Sequence, residues 1–165
     1  MERTPIHGKH EKMFNLRKVT KDDTQLLFDW ANEPEARANA MNPKVISWDE
    51  HVAWLNCKLL DDSVYMHIFK EAQKDAGVIR FEKSPEGFII SYSIDKDHRG
   101  KGLGTTILKK GMDNLREVVE NPVFIGYVKK GNIASEKIFD RLNFSVEKKE
   151  LINGVEFIIY KKQDE

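Results

Sequence analysis

Residues 88–108 read FIISYSIDKDHRGKGLGTTIL and place a predicted strand, a glycine-rich turn and a predicted helix in direct succession. Glycines at positions 100, 102 and 104 allow a tight turn and leave several backbone N–H groups open to an anion, with no β-carbon in the way. The helix start adds a partial positive charge, and Arg99 and Lys101 add full ones. The segment therefore predicts a phosphate-binding turn.

Two common phosphate-binding patterns do not fit this turn. The dinucleotide fingerprint fails because Thr105 and Ile107 occupy the two positions where its third glycine would fall. The nucleotide-triphosphate loop fails because Gly102, rather than Ser or Thr, follows the Gly-Lys pair. What remains is the pattern Arg-x-x-Gly-x-Gly, which begins at Arg99.

A second segment, residues 127–144, reads YVKKGNIASEKIFDRLNF. With Arg-x-x-Gly-x-Gly about thirty residues earlier, it resembles the GCN5-related N-acetyltransferases (GNAT), whose members carry Asn-x-x-Ser-x-x-x-Tyr-x-x-x-Gly-Phe at this place. Asn132, Ser135 and Phe144 match that motif. The resemblance covers about residues 14 to 162.

Two motif positions depart from the family. Asn143 stands where glycine usually ends the helix, and Asn tolerates the left-handed conformation required there. Phe139 stands where the family usually has Tyr. In many relatives that hydroxyl protonates the departing thiolate, and a phenyl ring has no proton to give.

The resemblance implies an α/β (α+β) GNAT fold, with a mixed, mostly antiparallel seven-stranded sheet flanked by about four helices. It also implies acetyl-CoA as co-substrate. The strand around Ser93 would pair with the pantetheine arm, the fifth strand near Tyr127 would splay away, and the acetyl carbonyl would meet the Ile94 amide. The residues implied to bind the cofactor are Ile94, Asp95, Arg99, Gly100, Lys101, Gly102, Leu103, Gly104, Thr105, Asn132, Ser135 and Phe139.

Acetyl transfer from a thioester requires a neutral amine, a donor for the developing oxyanion and a fate for the thiolate, but no covalent nucleophile. Three candidates for deprotonating the amine stay open. Ser91 and Ser93, on one side of the fourth strand, could order a relaying water. Glu82 could act directly or be an ordinary surface carboxylate, and His51 could be the base or a packing residue.

The acceptor is indicated by FDWANEPEAR at 28–37 and ISWDEHVAWL at 46–55. These segments resemble the GNAT branch that acetylates nucleotide-linked amino deoxysugars in the pseudaminic acid pathway, although Ala31 replaces an Arg of its motif. Weaker likeness to ribosomal-type protein N-terminal acetyltransferases, and a non-catalytic acyl-CoA binder, are the alternatives. The residues expected to contact the acceptor are Asn32, Arg37, His51, Trp54, Arg80 and Tyr127.

Composition limits the remaining possibilities. The 165 residues suit one domain, predicted at 14–165 after a loose tail at 1–13, and 27 basic against 27 acidic residues give no basic face for nucleic acid or an anionic membrane. Lack of a long apolar stretch predicts a cytoplasmic protein without a membrane segment. No Cys/His cluster has zinc spacing, so no metal is expected, and the single Cys57 is predicted to be buried. Relatives often dimerise, so a homodimer is possible.

Hydrophobic periodicity and cap signals predict the elements between these motifs. Thr20 and Ser47 each begin a helix, and Pro34 is expected to end the first one. Asn153-Gly154 predicts a hairpin turn. The predicted strands are 14–19, 64–69, 76–81, 88–94, 122–128, 144–151 and 155–160, and the later helices are 102–119 and 132–142.

Overall fold

The computed structural model describes residues 13–164, so most of the predicted tail lies outside it. The strands are β1 (Phe14–Lys18), β2 (Val64–Glu71), β3 (Lys74–Ser84), β4 (Gly87–Ile94), β5 (Val123–Lys129), β6 (Ser145–Ile152) and β7 (Val155–Gln163). The α-helices are α1 (Thr24–Ala31), α2 (Pro34–Ala38), α3 (Trp48–Leu60), α4 (Leu103–Arg116) and α5 (Ile133–Arg141). Short 3₁₀ turns cover Lys21–Asp23 and Lys96–His98.

The strands form one seven-stranded sheet in the order β1-β2-β3-β4-β5-β7-β6. Every neighbouring pair is antiparallel except β4 and β5, which run parallel. The predicted mixed, mostly antiparallel fold is confirmed. Within residues 13–164, five α-helices flank the sheet rather than about four. The additional one is α2, because Pro34 follows the end of α1 and also begins a new helix, with Glu33 as its N-cap.

Helices cover both faces of the sheet. Alternate residues of a strand point to opposite sides, and here both sides carry apolar side chains that pack against helices. Ile79, Phe81 and Ile90 pack with α4 and α5, whereas Met66 and Ile68 pack with α1 and α3. We call the first side the α4–α5 face and the second the α1–α3 face. Burying each such side chain stabilises the fold by about 1.5–3 kcal/mol.

The turns predicted at Asn143 and at Asn153-Gly154 are present. Asn143 ends α5 with φ +62°, and the Phe144 N–H donates to the Phe139 carbonyl at 3.0 Å, as in a Schellman motif. Asn153 and Gly154 have φ of +50° and +77° between β6 and β7, which fits a type I′ hairpin turn.

Cys57 contradicts its prediction. It is exposed on α3, where the buried positions are His51 and Leu55. The helix therefore presents its Leu55 stripe to the sheet and Cys57, two positions further on, to solvent.

Membrane and metal features are also absent from the described part of the chain. No helix within residues 13–164 is both long and apolar enough to cross a membrane. Nor do three or more His, Cys, Asp or Glu side chains of that range gather into a group able to hold a metal ion.

Candidate active site

The sheet opens between its two parallel strands. β4 and β5 pair over three positions, Phe88–Ile90 with Phe124–Gly126, and the ladder then stops although both strands continue. Gly126 marks the end of this ladder, and a β-carbon there would come within 2.5 Å of the Phe139 ring. The expected splay near Tyr127 is thus present in the backbone.

The Ile94 amide faces this opening. The Asp95 N–H donates to the Ala76 carbonyl of β3 at 2.8 Å. Opposed pairs in an antiparallel ladder alternate between bonded and non-bonded, so the next pair, Ile94 with Gly77, is non-bonded. The Ile94 N–H therefore points away from β3 and is free to meet an extended ligand, whereas the Asp95 amide is already occupied.

The glycine-rich turn leads from β4 into α4 with a left-handed backbone. Gly100 has φ +80°, and Gly102, the N-cap of α4, has φ +74°. A β-carbon at either position would meet no described atom within 4 Å, so the space beside the turn is open. No side chain caps α4, which leaves its first N–H groups without the usual partners. The turn therefore fits an anionic group such as a diphosphate.

Gly104 serves a different purpose from the other two glycines. It lies inside α4, and a β-carbon there would come within 2.5 Å of Ile138 Cδ1 on α5. Its small size is needed for the close approach of two helices rather than for the turn. Its amide still belongs to the first turn of α4.

The two cations of the turn are paired with carboxylates. Arg99 contacts Glu33 at 2.7 Å and Glu35 at 2.5 Å, and its Nε donates to the Ile94 carbonyl at 3.1 Å. Hydrogen bonding from Arg99 lowers the pKa of Glu33 to about 2. Lys101 Nζ lies 3.9 Å from Glu71, which also accepts from His98 at 2.8 Å. The turn thus depends on its amides more than on the full charges expected from the sequence.

A cleft of about 840 Å³ runs from this turn through the opening to the α1–α3 face. It brings together most of the residues predicted from the sequence. Those that line it are Arg37, His51, Trp54, Arg80, Ser91, Ser93, Ile94, Arg99, Gly100, Gly102, Leu103, Gly104, Thr105, Tyr127, Asn132, Ser135 and Phe139.

Four predicted residues are not among those lining the cleft. The Asp95 carboxylate accepts from Trp30 Nε1 at 2.7 Å, and Asn32 bonds the Ile46 backbone at 2.8 and 2.9 Å. Lys101 points to Glu71, and Glu82 pairs with Lys58 Nζ at 2.6 Å. Asp95 and Asn32 serve as internal braces, and the Glu82 carboxylate already has a lysine partner.

His51 reaches the cleft from α3 but is 2 % exposed. Its Nε2 lies 2.9 Å from the Thr24 carbonyl oxygen, and a carbonyl can only accept, so Nε2 carries a proton. Phe28, Trp48 and Trp54 surround the His51 ring at centroid distances of 5.4 to 6.2 Å. Phe28 and Trp48 also pack edge to face on each other at 5.2 Å. His51 joins α3 to α1, as expected of a packing residue.

Hydrogen bonds within the protein hold the polar residues of the second motif, Asn132 and Ser135. Asn132 caps α5 by accepting from the Ser135 N–H at 3.4 Å, and the Ser135 hydroxyl lies 2.8 Å from the Tyr92 hydroxyl. Burial raises the pKa of Tyr92, which favours its neutral, proton-donating form. Phe139 is 2 % exposed and stacks on Tyr160 at 5.1 Å.

Three cations in the cleft were missed by the sequence reading. Lys137 and Arg141 lie one turn apart on α5, and their i, i+4 spacing beside Ser135 was a usable signal. Lys129 ends β5 and donates to the Ala38 carbonyl at 2.7 Å. Because that contact spans 91 positions, no local pattern announces it.

A family model matches most of the chain. Residues 14–145 fit the model described as "Acetyltransferase (GNAT) domain". The chain belongs to the GNAT acetyltransferase family. The predicted enzyme class, an acetyl-CoA-dependent N-acetyltransferase, is therefore confirmed.

Solved structures share the fold of this GNAT protein. A spermidine N-acetyltransferase from Vibrio cholerae, solved with CoA and spermine, has a TM-score of 0.82 at 17% identity, over 92% of this chain and 95% of that one. An acetyltransferase from Salmonella typhimurium that modifies the N-terminal serine of ribosomal protein L7/L12 gives 0.77 at 19%, over 93% and 96%. The aminoglycoside enzyme AAC(6')-Ib, solved with ribostamycin and CoA, gives 0.78 at 15%, over 91% and 93%.

A comparison with curated protein sequences found no match. The solved structures, at identities below 25%, show the fold of this GNAT protein and not its acceptor. The acceptor has to be argued from the cleft of this chain.

Proposed function

We propose that this GNAT enzyme acetylates a primary amine of a small anionic molecule, with a nucleotide-linked amino deoxysugar as the best candidate. The observation that carries the proposal is the charge of the cleft. Of its described lining residues, six are Lys or Arg and one is acidic, namely Glu35, which is paired with Arg99. Three of the six cations lie at the glycine-rich turn or on α5, at the cofactor end, and the other three are Arg37, Arg80 and Lys129. An anionic acceptor would be attracted to such a cleft, and a polycation would be repelled.

This charge balance argues against the polycationic acceptors of two of the structural neighbours. Spermine and aminoglycosides carry several positive charges, and a site for them requires unpaired carboxylates. Among the described residues that line this cleft, the single carboxylate, Glu35, already has a cationic partner. The Trp54 ring is covered by the Arg80 guanidinium at 4.9 Å, so it contributes by holding that cation in the cleft.

The proposed chemistry is direct transfer. Acetyl-CoA would place its diphosphate on the amides of the glycine-rich turn and its pantetheine arm between β4 and β5, with the thioester carbonyl at the Ile94 amide. The acceptor nitrogen attacks the carbonyl carbon, the C–N bond forms and the C–S bond breaks. The Ile94 N–H would stabilise the oxyanion that develops in between.

The amine must lose a proton in this reaction. Ser91 and Ser93 are better placed to assist than His51 or Glu82. Ser91 and Ser93 line the cleft on the α1–α3 face, where an acceptor would enter. Neither hydroxyl is basic, so we assign them the ordering of a water that carries the proton to solvent. His51 keeps its Nε2 proton on Thr24, and Glu82 is held by Lys58.

The leaving thiolate has no phenol at the usual position, because Phe139 stands there. Tyr92 reaches the same α4–α5 face, and its ring centroid lies 6.4 Å from that of Phe139. CoA thiolate is a tolerable leaving group near neutral pH, so protonation by water or by Tyr92 suffices. A dedicated acid at position 139 is not required.

A ribosomal-type N-terminal acetyltransferase is the second candidate, and two contacts of the segment after α2 argue against it. Lys129 bonds the Ala38 carbonyl at 2.7 Å, and Asn153 bonds the Met41 carbonyl at 3.2 Å. Both contacts tie the segment after α2 to the far side of the sheet. A peptide longer than a few residues would have to break them.

An acceptor panel tests this proposal. Purified protein and acetyl-CoA are incubated with nucleotide-linked amino sugars, polyamines, aminoglycosides and N-terminal peptides, and free thiol release is followed. We expect stimulation by the anionic amino sugars. Preferred acetylation of a polyamine or a peptide would refute the acceptor, and no stimulated release at all would favour a non-catalytic acyl-CoA binder.

A further inference from the structure

Arg80 differs from Arg37 and Arg99, the other arginines of the cleft that are not fully exposed, in having little to neutralise it. Arg99 has two carboxylate partners, and Arg37 donates to the carbonyls of Ala31, Asn42 and Lys44 at 2.6 to 3.3 Å. Within residues 13–164, the hydrogen bond found for the Arg80 guanidinium goes to Ser91 Oγ at 3.2 Å. A guanidinium has five N–H donors, so most of them remain for a ligand.

The neighbouring carboxylate is shared. Glu82 lies 3.4 Å from Arg80 Nε, but Lys58 Nζ is closer to it, at 2.6 Å. Lys58, Arg80 and Glu82 together carry two positive charges and one negative charge, so the trio has a net charge of +1. Arg80 Nε is also buried without a hydrogen-bond partner in the described structure.

Burial makes this unbalanced charge costly. The Arg80 side chain is 24 % exposed and lies over the Trp54 ring, with its central carbon 4.9 Å from the ring centroid. Desolvation lowers the pKa of Arg80. A buried cation without a full counter-charge destabilises the fold, and a bound anion would remove that penalty.

Its position makes Arg80 part of the acceptor side of the cleft. Arg80 on β3 is opposite Ser91 on β4, and both line the cleft on the α1–α3 face with Trp54 and Val78. The glycine-rich turn follows the last residue of β4 and leads into α4, which packs on the opposite face of the sheet. An anion bound at Arg80 is therefore distinct from the diphosphate of the cofactor.

We propose that Arg80, held by Trp54 and Ser91, is the anion-binding residue of the acceptor pocket, and that it selects amines bearing a phosphate or carboxylate group. This inference rests on the proposed function for the identity of the bound molecule as acceptor. Arg fits either anion bidentately, and the Trp54 stack holds the guanidinium plane in place.

Arg116 supplies a matched control outside the cleft. It too lies over an aromatic ring, Phe124, at 5.1 Å, but it is paired with Asp113 at 2.9 Å and Asp164 at 2.6 Å. Replacing it removes an equally stacked guanidinium without touching the pocket.

The test is calorimetric titration with UDP, inorganic pyrophosphate and glucuronate in saturating CoA, which keeps the glycine-rich turn filled. At least one of these anions should bind the wild-type protein, and which one distinguishes phosphate from carboxylate. Arg80→Gln should weaken that binding at least about tenfold, Arg80→Lys less, and Arg116→Gln not at all. No binding of any of the three anions, or equal binding by Arg80→Gln, would overturn the inference.

Folding and function are followed separately. If Arg80→Gln does not fold, as judged by circular dichroism, Arg80→Lys keeps the charge and should still show weakened binding. In turnover assays, Arg80→Lys should raise KM for an anionic acceptor and leave kcat within a few-fold. Preferred acetylation of anionic acceptors that Arg80→Gln leaves unchanged would overturn this inference alone, whereas Arg80-dependent anion binding without any turnover would overturn the proposed function alone.

Discussion

The two ends of the cleft use different parts of the chain. At the cofactor end, the glycine-rich turn and the Ile94 edge offer main-chain amides, and a short local motif sets their geometry. At the acceptor end, the groups on offer are side chains, such as Arg80 and Ser91, whose freedom depends on distant partners. The difference teaches that a backbone site can be recognised from its own segment, whereas a side-chain site depends on what else has folded against it.

The largest expected effect is at the cofactor end, in Gly102→Val. A branched side chain would fill the open space beside the turn and disfavour φ +74°. Losing two charge-assisted N–H bonds to a phosphate costs about 3 kcal/mol, or more than about 100-fold in affinity. Calorimetry with CoA measures it.

Gly154→Val is the matched control for that variant. Gly154 has φ +77° and also has no described atom within 4 Å of a β-carbon, but it lies in the β6–β7 turn. Both variants should lose similar stability, and Gly154→Val should keep its CoA affinity. Equal affinity losses in the two would show that the turn acts through general strain rather than as a binding site.

At the acceptor end, His51→Gln should affect folding more than catalysis. It replaces a ring that packs in a buried aromatic cluster and donates to the Thr24 carbonyl with a flexible amide, and should lower the free energy of unfolding by about 1–3 kcal/mol. Urea unfolding measures the loss. A kcat reduced by more than about 100-fold in a well-folded variant, with loss of the acidic limb of the pH profile, would restore His51 as the base.

Phe139→Tyr tests whether an acid is missing between the two ends. Phe139 is buried against Gly126 and Tyr160, and Tyr92 already supplies a phenol nearby. The rate should change by less than about tenfold, since general-acid assistance to a thiolate of this basicity adds little. A gain above about a thousandfold in steady-state turnover would mean that the acid was lacking.

The smallest expected effect concerns the Glu33–Arg99 ion pair. It joins the N-cap of α2 to the segment that leads into the glycine-rich turn, and so connects the two ends of the cleft. Because Arg99 lowers the pKa of Glu33 from an ordinary 4.5 to about 2, the stabilisation is present above pH 4.5 and is lost as the pH falls toward 2. Solvent screening limits it to about 1 kcal/mol. Denaturation at pH 5 and pH 3 should show a smaller acid loss in Glu33→Gln than in wild type.

Glu86→Gln provides the control for this pH effect, since Glu86 is exposed in the β3–β4 turn. It should lose stability with acid as the wild type does. If Glu33→Gln does the same, the ion pair contributes nothing to folding and the two ends are not coupled through it.

The same contrast explains what the sequence could predict. The strands, the hairpin at Asn153-Gly154 and the left-handed Asn143 follow from neighbouring residues, and the structure has them. The opening of the sheet beside Gly126 came from the family resemblance. Gly104 shows the limit even here, because its contact with Ile138 of α5 is not visible in its own turn.

The acceptor side needed the folded chain. Asn32 and Arg37 match or flank a family motif, yet one braces Ile46 and the other organises the segment after α2. Glu82 is a candidate base from its place in the sequence, but Lys58, on another element, neutralises it. Arg80 owes its unbalanced charge to the same contact. Such pairings between distant positions leave no periodic or motif signal.

The most direct test of the account is a crystal structure of the protein with acetyl-CoA. We predict the diphosphate on the backbone amides between Gly100 and Thr105, and the pantetheine arm between β4 and β5 with its thioester at the Ile94 N–H. A diphosphate bound elsewhere, or an arm lying outside that opening, would contradict it.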